Sequence, residues 1–359
     1  MESQSITQHP VVDLHRKICE IESITGNEKP VADLLVSYLE GKGLTVEKQV
    51  VPSDYPEERY NILAYYGSKR QTRVCFSSHI DVVPPYWPYR LLNDSTEIWG
   101  RGVVDAKSCV AAQIVALEEL FSNGHIQPGD ISLLFVVGEE TEGDGMIYAN
   151  NLGLSWESVI FGEPTEGTLP RGHKGVLNMA LRASGKAAHS GYPSLGESAV
   201  NKLLDGLQAL RDMKLPSSQR FGETTMNIGR IDAGVAANVI PFFAEANIMF
   251  RIAGGTIDDL KRTIESSLDA TGHKYEMNFA IDACEPVKIE GDVPGFTQSV
   301  VNYGTDIPNL KGNHKNYLYG PGSIHVAHTE NEMILVRDLV QSVGAYQRLA
   351  LHALGKATV

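Results

Sequence analysis

The sequence predicts an α/β catalytic domain, built on a central and mostly parallel sheet, that is interrupted by a smaller ferredoxin-like domain. The chain has 359 residues, more than one hydrophobic core usually contains, so two domains are expected. From Val11 to about Pro170, apolar strands alternate with helices, which is typical of a sheet covered on both faces. The middle of the chain has the order βαββαβ, that of a compact ferredoxin-like lid or dimerisation unit. The expected domains are 1–172 with 284–359, which form the catalytic domain, and the inserted 173–283.

Periodicity and turn residues predict the individual elements. Apolar runs between turns indicate strands, and apolar positions at helical spacing that end at glycine indicate helices. The outer parts are expected to contain helices at 30–40, 105–121 and 331–354 and strands at 73–78 and 131–137. The inserted part is expected to contain strands at 176–183, 224–232, 242–252 and 274–282 and helices at 197–213 and 256–269, with hinges at 171–175 and 284–287.

The composition is that of an ordinary globular enzyme, with 42% hydrophobic and 21% charged residues. A net charge of −13 without a cluster of Lys and Arg argues against nucleic acid as a partner. The N-terminal residues lack the pattern of a signal peptide, and no apolar run reaches the ~18 residues of a membrane span. We therefore expect a cytoplasmic protein that does not bind membranes. The four cysteines form no CxxC pair, and Cys75 and Cys109 are expected to be buried thiols.

Five potential metal ligands stand at the ends of apolar runs or beside glycine turns. Three are carboxylates and two are imidazoles: His79, Asp105, Glu140, Glu163 and His328. Functional residues of an α/β sheet collect at the carboxyl ends of its strands, so we expect these side chains to meet. Two divalent cations and three carboxylates leave one positive charge, which a hydroxide would balance. The set therefore predicts a site that holds two divalent cations and activates water. Zinc is the usual metal for such ligands, and cobalt or manganese would also fit.

His79 and Asp81 form an HxD pair. Side chains two residues apart on a strand point to one face, so the Asp81 carboxylate can accept the second imidazole proton of His79. Taken alone, the pair also fits a surface histidine beside an acid. Asp105 could likewise be the N-cap of the helix that follows it. Beside the other ligands, we favour a carboxylate that bridges two cations.

Glu139 and Glu140 are adjacent at the end of an apolar strand. Neighbouring side chains diverge, so one can bind a cation while the other faces the reacting water. Two buried carboxylates without a cation would suppress each other's ionisation. An exposed acidic turn would explain Glu142 and Asp144, but it would not explain glutamates that close an apolar strand.

Five motifs in the order HxD, GRGxxDxK, GEE, GEPT and HxxNE resemble the di-zinc aminoacylase and carboxypeptidase family. Its members include acetylornithine deacetylase, succinyl-diaminopimelate desuccinylase and carboxypeptidase G. The resemblance covers essentially the whole chain and implies that Glu139 is the general base. It also implies two sets of ligands: His79, Asp105 and Glu163 for one cation, and Asp105, Glu140 and His328 for the other.

The resemblance extends to the substrate site. His189 in GKAAHSG resembles a histidine that reaches the active site of the other subunit in dimeric relatives and stabilises the oxyanion, so a homodimer is implied. Asn238, Arg251 and the pair Gly304-Thr305 resemble positions that bind the substrate carboxylate, for which a guanidinium is well shaped. A polar strand end for His189 and a rim salt bridge for Arg251 are the alternatives.

The last motif indicates which histidine is the metal ligand and which class of substrate is expected. The family ligand immediately precedes x-x-(Asp/Asn)-Glu, which selects His328, whereas His325 is expected to line the pocket or to be solvated. GPGSIHVAH and the GTD loop look most like the acetylornithine deacetylase branch. Hydrolysis of an N-acyl amino acid, a step of arginine biosynthesis in that branch, is therefore expected.

Two alternatives to a deacetylase stay open. The same motifs fit a metallo-dipeptidase or carboxypeptidase. The segment GVVDAKS favours this alternative, because the deacetylase branch usually has Cys-Asp-Met-Lys-Gly there and the VDAK form is closer to peptidases or to relatives acting on acyl-carried lysine or ornithine. A non-catalytic protein on the same fold should have lost some of the ligands or Glu139, and all of them are present.

Overall fold

The computed structural model describes residues 6–280 and 283–357. The chain divides into two compact units. The first unit comprises Met1–Arg171, Ile289–Ser299 and Thr305–Val359, and the second comprises Gly172–Lys288 and Val300–Gly304.

The helices and strands are numbered in chain order. The helices are α1 (Pro10–Cys19), α2 (Lys29–Gly41), α3 (Lys107–Ser122), α4 (Asp144–Ala149), α5 (Ala199–Asp212), α6 (Ile257–Asp269) and α7 (Val336–Ala353), with short 3-10 turns at Asn150–Leu152, Pro193–Leu195 and Ile307–Asn309. The strands before residue 180 are β1 (Leu44–Val51), β2 (Arg59–Tyr66), β3 (Val74–His79), β4 (Arg90–Leu92), β5 (Glu97–Trp99), β6 (Ile131–Val136), β7 (Ser158–Gly162), β8 (Leu169–His173) and β9 (Gly175–Ser184). The later strands are β10 (Ala188–His189), β11 (Ser217–Ser218), β12 (Gly222–Glu223), β13 (Thr225–Ala233), β14 (Val239–Ile240), β15 (Phe243–Ile252), β16 (Tyr275–Phe279), β17 (Val287–Lys288), β18 (Gln298–Val301), β19 (Lys315–Tyr319) and β20 (Met333–Leu335).

A six-stranded sheet in the order β1-β2-β6-β3-β7-β19 forms the centre of the first unit. Strands β6, β3, β7 and β19 run parallel, and only the β1-β2 and β2-β6 pairs are antiparallel. Every residue of β2, β3, β6 and β7 is buried. These strands are therefore apolar along most of their length instead of alternating, as expected for strands that are buried on both faces. The predicted fold class is confirmed.

The second unit has a four-stranded antiparallel sheet in the order β13-β15-β9-β16. With α5 after β9 and α6 after β15, this is the ferredoxin-like βαββαβ arrangement. Alternate residues of β9 and β15 are buried, and they form one apolar core with the buried faces of the two helices. The period of two along these strands reflects a sheet that helices cover on one face only.

Several predicted boundaries were wrong. The last helix begins at Val336 instead of residue 331, because β20 precedes it and pairs with β5. The segments 171–175 and 284–287 stay a prediction as hinges, and both include strand residues: β17 pairs antiparallel with β8, and Val287 lies opposite His173. The strand predicted at 274–282 ends at Phe279, and residues 281–282 lie outside the described residues.

Two smaller expectations can be compared with the structure. Cys75 and Cys109 are buried and form no disulfide, as predicted. Among the described residues, no helix combines the length and the apolar character that crossing a membrane would require.

A network of buried charges joins three segments of the first unit. The Arg59 guanidinium on β2 donates to Glu28 before α2, with Nη2 and Oε1 2.8 Å apart, and to Asp144 at the start of α4, with Nη1 and Oδ2 2.7 Å apart. The side chains of Arg59 and Glu28 are fully buried. An uncompensated charge here would be costly, because neither group can reach water.

We expect Glu28→Gln to lower the free energy of unfolding by about 3–5 kcal/mol, because it leaves part of the Arg59 charge buried without its partner. Urea denaturation of the purified protein measures this. Arg73→Met is the control, since it breaks the exposed pair with Glu157 and should cost at most ~1 kcal/mol. Equal effects of the two substitutions would contradict the role given to burial.

Candidate metal centre

The ends of three parallel strands bring most of the predicted ligands to one edge of the sheet. His79 is the last residue of β3, Glu163 directly follows β7, and a turn at Gly138 leads from β6 to Glu139 and Glu140. Gly138 has a φ of +74°, and a Cβ there would lie 1.9 Å from Asp144 Oδ1. Only glycine fits this turn, which determines where the two glutamates begin.

Asp105 lies between the two histidines. Its Oδ1 is 3.2 Å from His79 Nε2, and its Oδ2 is 3.3 Å from His328 Nε2. His79 Nε2 is also 3.7 Å from Glu163 Oε1, and His328 Nε2 is 2.9 Å from Glu140 Oε2. The five side chains therefore meet, with one oxygen of Asp105 facing each histidine.

These separations suit divalent cations. Ligand atoms about 2.0–2.2 Å from a tetrahedral metal ion lie about 3.3–3.6 Å from one another. The four contacts of His79 and His328 with the predicted carboxylate ligands span 2.9–3.7 Å. The donors are imidazole nitrogens and carboxylate oxygens, which zinc, cobalt and manganese accept.

Two overlapping sets of donor atoms lie within 4.8 Å of one another: His79, Glu139 and Glu163 in one, and His79, Asp105 and Glu140 in the other. These sets share His79, whereas the closest ion pairs share Asp105. An imidazole nitrogen has one lone pair and can bind a single cation, but a carboxylate has two oxygens and can bind two. This chemistry favours Asp105 as the shared ligand.

The pKa values of the cluster show how strongly it needs positive charge. Burial, with the nearby charge of Asp105, raises the pKa of Glu140 to about 7. Burial also raises the pKa of Glu163 to about 7, and it raises the pKa of Glu139 well above the usual range. Hydrogen bonds to Asp105 and Glu140 raise the pKa of His328 to about 10. The raised pKa values mean that Glu139, Glu140 and Glu163 tend to hold protons when no cation is bound, and bound cations would replace these protons.

Asp81 has a different position from the one predicted. Strand β3 ends at His79, so the alternation expected for HxD does not continue to residue 81. His79 Nδ1 lies 3.0 Å from the backbone oxygen of Asp81 and 3.5 Å from its Oδ1. The Asp81 carboxylate accepts from the backbone N–H groups of Glu139 and Glu140, both at 3.1 Å, and from the Thr25 hydroxyl. It therefore orients the loop of the two glutamates as well as the imidazole.

Asp105 does not cap the helix that follows it. The N-cap of α3 is Ala106, which offers no side-chain hydrogen bond. The alternative interpretation of Asp105 as a capping residue was therefore wrong, and its two carboxylate oxygens lie beside the two histidines instead.

Two carboxylates of the site were not predicted. Glu332, the last residue of the HxxNE motif, accepts from the backbone N–H of Asp105 at 3.3 Å and from Arg101 Nη1 at 2.5 Å. Asp306 is buried, and burial raises its pKa to about 7, with the charge of Asp81 adding to the shift. The motif quoted for His328 contained Glu332, and Asp306 directly follows Thr305, but neither position carried a signal of its own.

His328 has a left-handed backbone, with a φ of +61°. This region is unfavourable for a residue with a Cβ and costs on the order of 1 kcal/mol. The side chain is about half exposed, unlike that of His79, which is buried. His325 is more exposed and pairs with Glu166, with Nε2 and Oε1 3.5 Å apart.

Residues 75–352 match the family model of peptidase family M20/M25/M40. The chain belongs to this family. A peptidase M20 domain-containing protein of Schizosaccharomyces pombe is 45% identical over 96% of this chain and 85% of its own length. A probable carboxypeptidase of Aspergillus flavus is 43% identical over 97% of this chain and 89% of its own length.

The fold is also similar to solved structures. A tripeptidase from Staphylococcus aureus superposes with a TM-score of 0.79 at 20% identity, covering 96% of this chain and 98% of its own. The chain is thus an M20-family hydrolase with a cluster of candidate metal ligands. The acetylornithine deacetylase branch stays a hypothesis.

The remaining predicted residues of this M20 family member lie in the second unit, except for Thr305. His189, on β10, is exposed and lies opposite Val239, and the N–H of Ser190 donates to the carbonyl of Asn238 at 3.0 Å. His189 and Asn238 are therefore neighbours. Thr305 belongs to the first unit, where its hydroxyl accepts from the N–H of Ile307.

Arg251 and Gly304 both lie beside Val176. Arg251 is opposite Val176 in the β15-β9 ladder, and a Cβ on Gly304 would lie 3.8 Å from the Val176 side chain. Burial lowers the pKa of the Arg251 guanidinium. In the part of the chain that the structure describes, no carboxylate pairs with Arg251, so the alternative of a rim salt bridge finds no support. A half-buried guanidinium without an anion is suited to binding one from a ligand.

We expect the affinity for divalent cations to fall about 100-fold or more between pH 8 and pH 6. In the metal-free protein His328 is protonated over this range, and Glu140 and Glu163 gain protons as the pH falls through 7, so each cation must displace protons. Calorimetry in buffers of different ionisation enthalpy measures both the affinity and the protons released.

Glu166→Gln is the control, because this exposed carboxylate belongs to neither set of donor atoms. Its pH dependence should match that of the unchanged protein. An affinity that is constant from pH 6 to 8, without proton release, would show that the cluster is not the cation site.

Proposed function

We propose that the chain is a metal-dependent exopeptidase-like amidohydrolase. It hydrolyses the amide bond that joins an acyl or peptidyl group to an amino acid with a free carboxylate. The single observation that carries the proposal is the placement of Asp105, with one oxygen near each of two histidines and three glutamates around them. Two divalent cations, with zinc as the first candidate and cobalt or manganese as others, are proposed as cofactors.

The proposed ligands are His79 and Glu163 for one cation, Glu140 and His328 for the other, and Asp105 for both. When bound, the cations lower the pKa of water and polarise the carbonyl of the scissile amide. Without cations, burial favours the protonated forms of Glu140 and Glu163, and hydrogen bonds favour the protonated form of His328, which supports the assignment. Asp81 and Glu332 hold the loops that carry the ligands.

Glu139 is proposed as the general base. Its carboxylate belongs to the same cluster as His79 and Glu163, but it is not needed to complete either proposed ligand set. It takes a proton from the attacking water, whose oxygen forms the new bond to the carbonyl carbon. It then gives the proton to the nitrogen of the leaving amine as the C–N bond breaks. Such transfers contribute on the order of 10²–10⁴-fold.

Residues of the second unit are proposed to recognise the substrate. Arg251 binds the substrate carboxylate, supported by its lack of an anion partner among the described residues. Asn238, Gly304 and Thr305 are proposed to assist it. His189 is proposed to stabilise negative charge on the carbonyl oxygen, within the homodimer that the family resemblance implies.

The leaving group is an amino acid in both candidate reactions. Carboxypeptidase or dipeptidase action is our first candidate, because relatives that are 40–45% identical over nearly the whole chain are named probable carboxypeptidases or M20 peptidases. Deacetylation of an N-acyl amino acid such as acetylornithine is the second candidate, and the GPGSIHVAH segment favours it.

Glu139→Gln should lower kcat by at least about 10³-fold while the metal content stays nearly unchanged, because it removes the base and keeps the ligands. Turnover and metal content measured on the same preparation test this. Glu142→Gln is the matched control, since it changes an exposed glutamate three residues away and should leave kcat unchanged. Full activity of Glu139→Gln would overturn the assignment.

A substrate panel on the metal-loaded enzyme separates the candidate reactions. Dipeptides with a free carboxylate, their C-terminal amides and N-acetylornithine are compared, and we expect the amides to be the poorest substrates. Arg251→Met should raise KM for the free carboxylates about 10–100-fold, the loss of a charge-assisted hydrogen bond, with a smaller effect for Arg251→Lys. Equal hydrolysis of the amides, or no hydrolysis of any compound, would contradict the proposed function.

A further inference from the structure

A cavity of the first unit lies beside α7 and has a volume of about 590 Å³. We call it the α7 cavity. One face of α7 and the Tyr319 ring at the end of β19 line it, together with the turns at 166–167 and 321–323. None of its lining residues belongs to the candidate metal sets, so it is a separate site.

The α7 wall carries opposite charges at its two ends. Asp338, Gln341, Ala345 and Arg348 recur at intervals of three and four residues, so they form a single stripe along the helix. Ten residues separate Asp338 from Arg348, or about 15 Å along the axis. Because helix side chains lean towards the N-terminus, the guanidinium lies back over the preceding turn. A Cβ on Gly344 would be 3.7 Å from Arg348 Nη1.

The guanidinium of Arg348 has no anion partner in the part of the chain that the structure describes. Its central carbon lies 5.5 Å from the centre of the Phe296 ring, which holds it by a cation–π contact. Within the described ranges, no carboxylate lies at ion-pair distance from it, although Asp338 stands on the same stripe. The edge of the guanidinium is thus available to a ligand carboxylate.

Tyr319 supplies an independent observation. The residue is 4% exposed and lines the cavity, and its hydroxyl makes no hydrogen bond within residues 6–280 and 283–357, although its oxygen is not fully enclosed. It faces the turn at Gly167, where a Cβ would lie 3.9 Å away. Burial raises the pKa of this hydroxyl, so it is a neutral hydrogen-bond donor near pH 7. A ligand carboxylate in the cavity could accept from it.

The opposite wall adds acidic and apolar surface. Ser323 donates to Glu166 with 2.8 Å between the oxygens, which places a second carboxylate at the rim. Val326, Met333 and Leu335 provide apolar surface. The cavity thus offers a cation-binding region, an apolar middle and an anion-binding end.

We propose that the α7 cavity binds a short peptide with free termini, about three residues long. Its carboxylate binds Arg348 and the Tyr319 hydroxyl, and its ammonium group binds near Asp338. Because the Arg348 side chain leans towards the N-terminus of α7, its charge lies about 10 Å from that of Asp338. An extended peptide of three residues, at about 3.4 Å each, spans this distance. A free amino acid is too short to reach both ends. The proposal does not depend on the proposed function of the metal centre.

The test uses trisarcosine, an achiral tripeptide whose N-methylated amide bonds resist hydrolysis. Equilibrium dialysis of the metal-loaded full chain gives the number of sites and their affinities. Arg348→Met should weaken one site at least tenfold, and Tyr319→Phe, which removes only the hydroxyl, should weaken the same site severalfold. The doubly blocked N-acetyl trisarcosine amide should not occupy that site.

Arg211→Met is the matched control, because it removes an exposed helix arginine that does not line the cavity. It should leave every site unchanged. Site numbers and affinities that are the same in Arg348→Met and Arg211→Met would overturn the proposal, as would equal binding of the blocked peptide at the α7 cavity. Failure of the proposed hydrolysis would instead appear as a loss of turnover, with the α7 site intact.

Discussion

The concentration of negative charge at one edge of the parallel sheet is the constraint on which the rest of the structure depends. Asp81, Asp105, Glu163 and Asp306 are buried there, beside Glu139 and Glu140, which are partly exposed. Two buried arginines of the first unit are already used, because Arg59 pairs with Glu28 and Asp144, and Arg101 pairs with Glu332. Protons on histidines and glutamates, or divalent cations, must supply the missing positive charge.

The acidic residues of this region fall into two groups, which differ in the donor that their carboxylates face. Asp81 and Glu332 accept from backbone N–H groups, so they fix the loops of Glu139, Glu140 and Asp105. Asp105, Glu140 and Glu163 face imidazole nitrogens instead, and these are the oxygens that we propose as metal ligands. Rigid support for the ligand loops limits the reorganisation that cation binding requires.

Unsatisfied polar groups are informative because most buried ones in this protein have partners. The Tyr346 hydroxyl donates to the carbonyl of Tyr319 at 2.6 Å, whereas the Tyr319 hydroxyl, which lines the α7 cavity, makes no hydrogen bond to the described residues. Arg59 and Arg101 are paired, whereas Arg251 and Arg348 have no carboxylate partner in the same set of residues. Both contrasts direct attention to places where a ligand would complete the hydrogen bonding.

The sequence by itself determined the fold class and the identity of the candidate ligands. Continuous apolar runs, without the alternation of a half-exposed strand, identified the central sheet as one that is buried on both faces. Each of the five ligands followed such a run or a glycine turn. The period of two in 176–183 and 242–252 likewise identified the one-sided sheet of the second unit. These are local signals, because the order of apolar and polar side chains along a strand depends on whether one face or both faces of the sheet are buried.

Only the tertiary structure decided how the polar groups are shared. That β3 stops at His79 and leaves Asp81 to bind the loop of Glu139 and Glu140 depends on the neighbouring strand β6. That Glu332 binds the backbone of Asp105 depends on residues that are 227 positions apart. A carboxylate has the same composition whether it accepts from a backbone amide, an arginine or an imidazole, so its role is determined by which distant groups the fold places beside it.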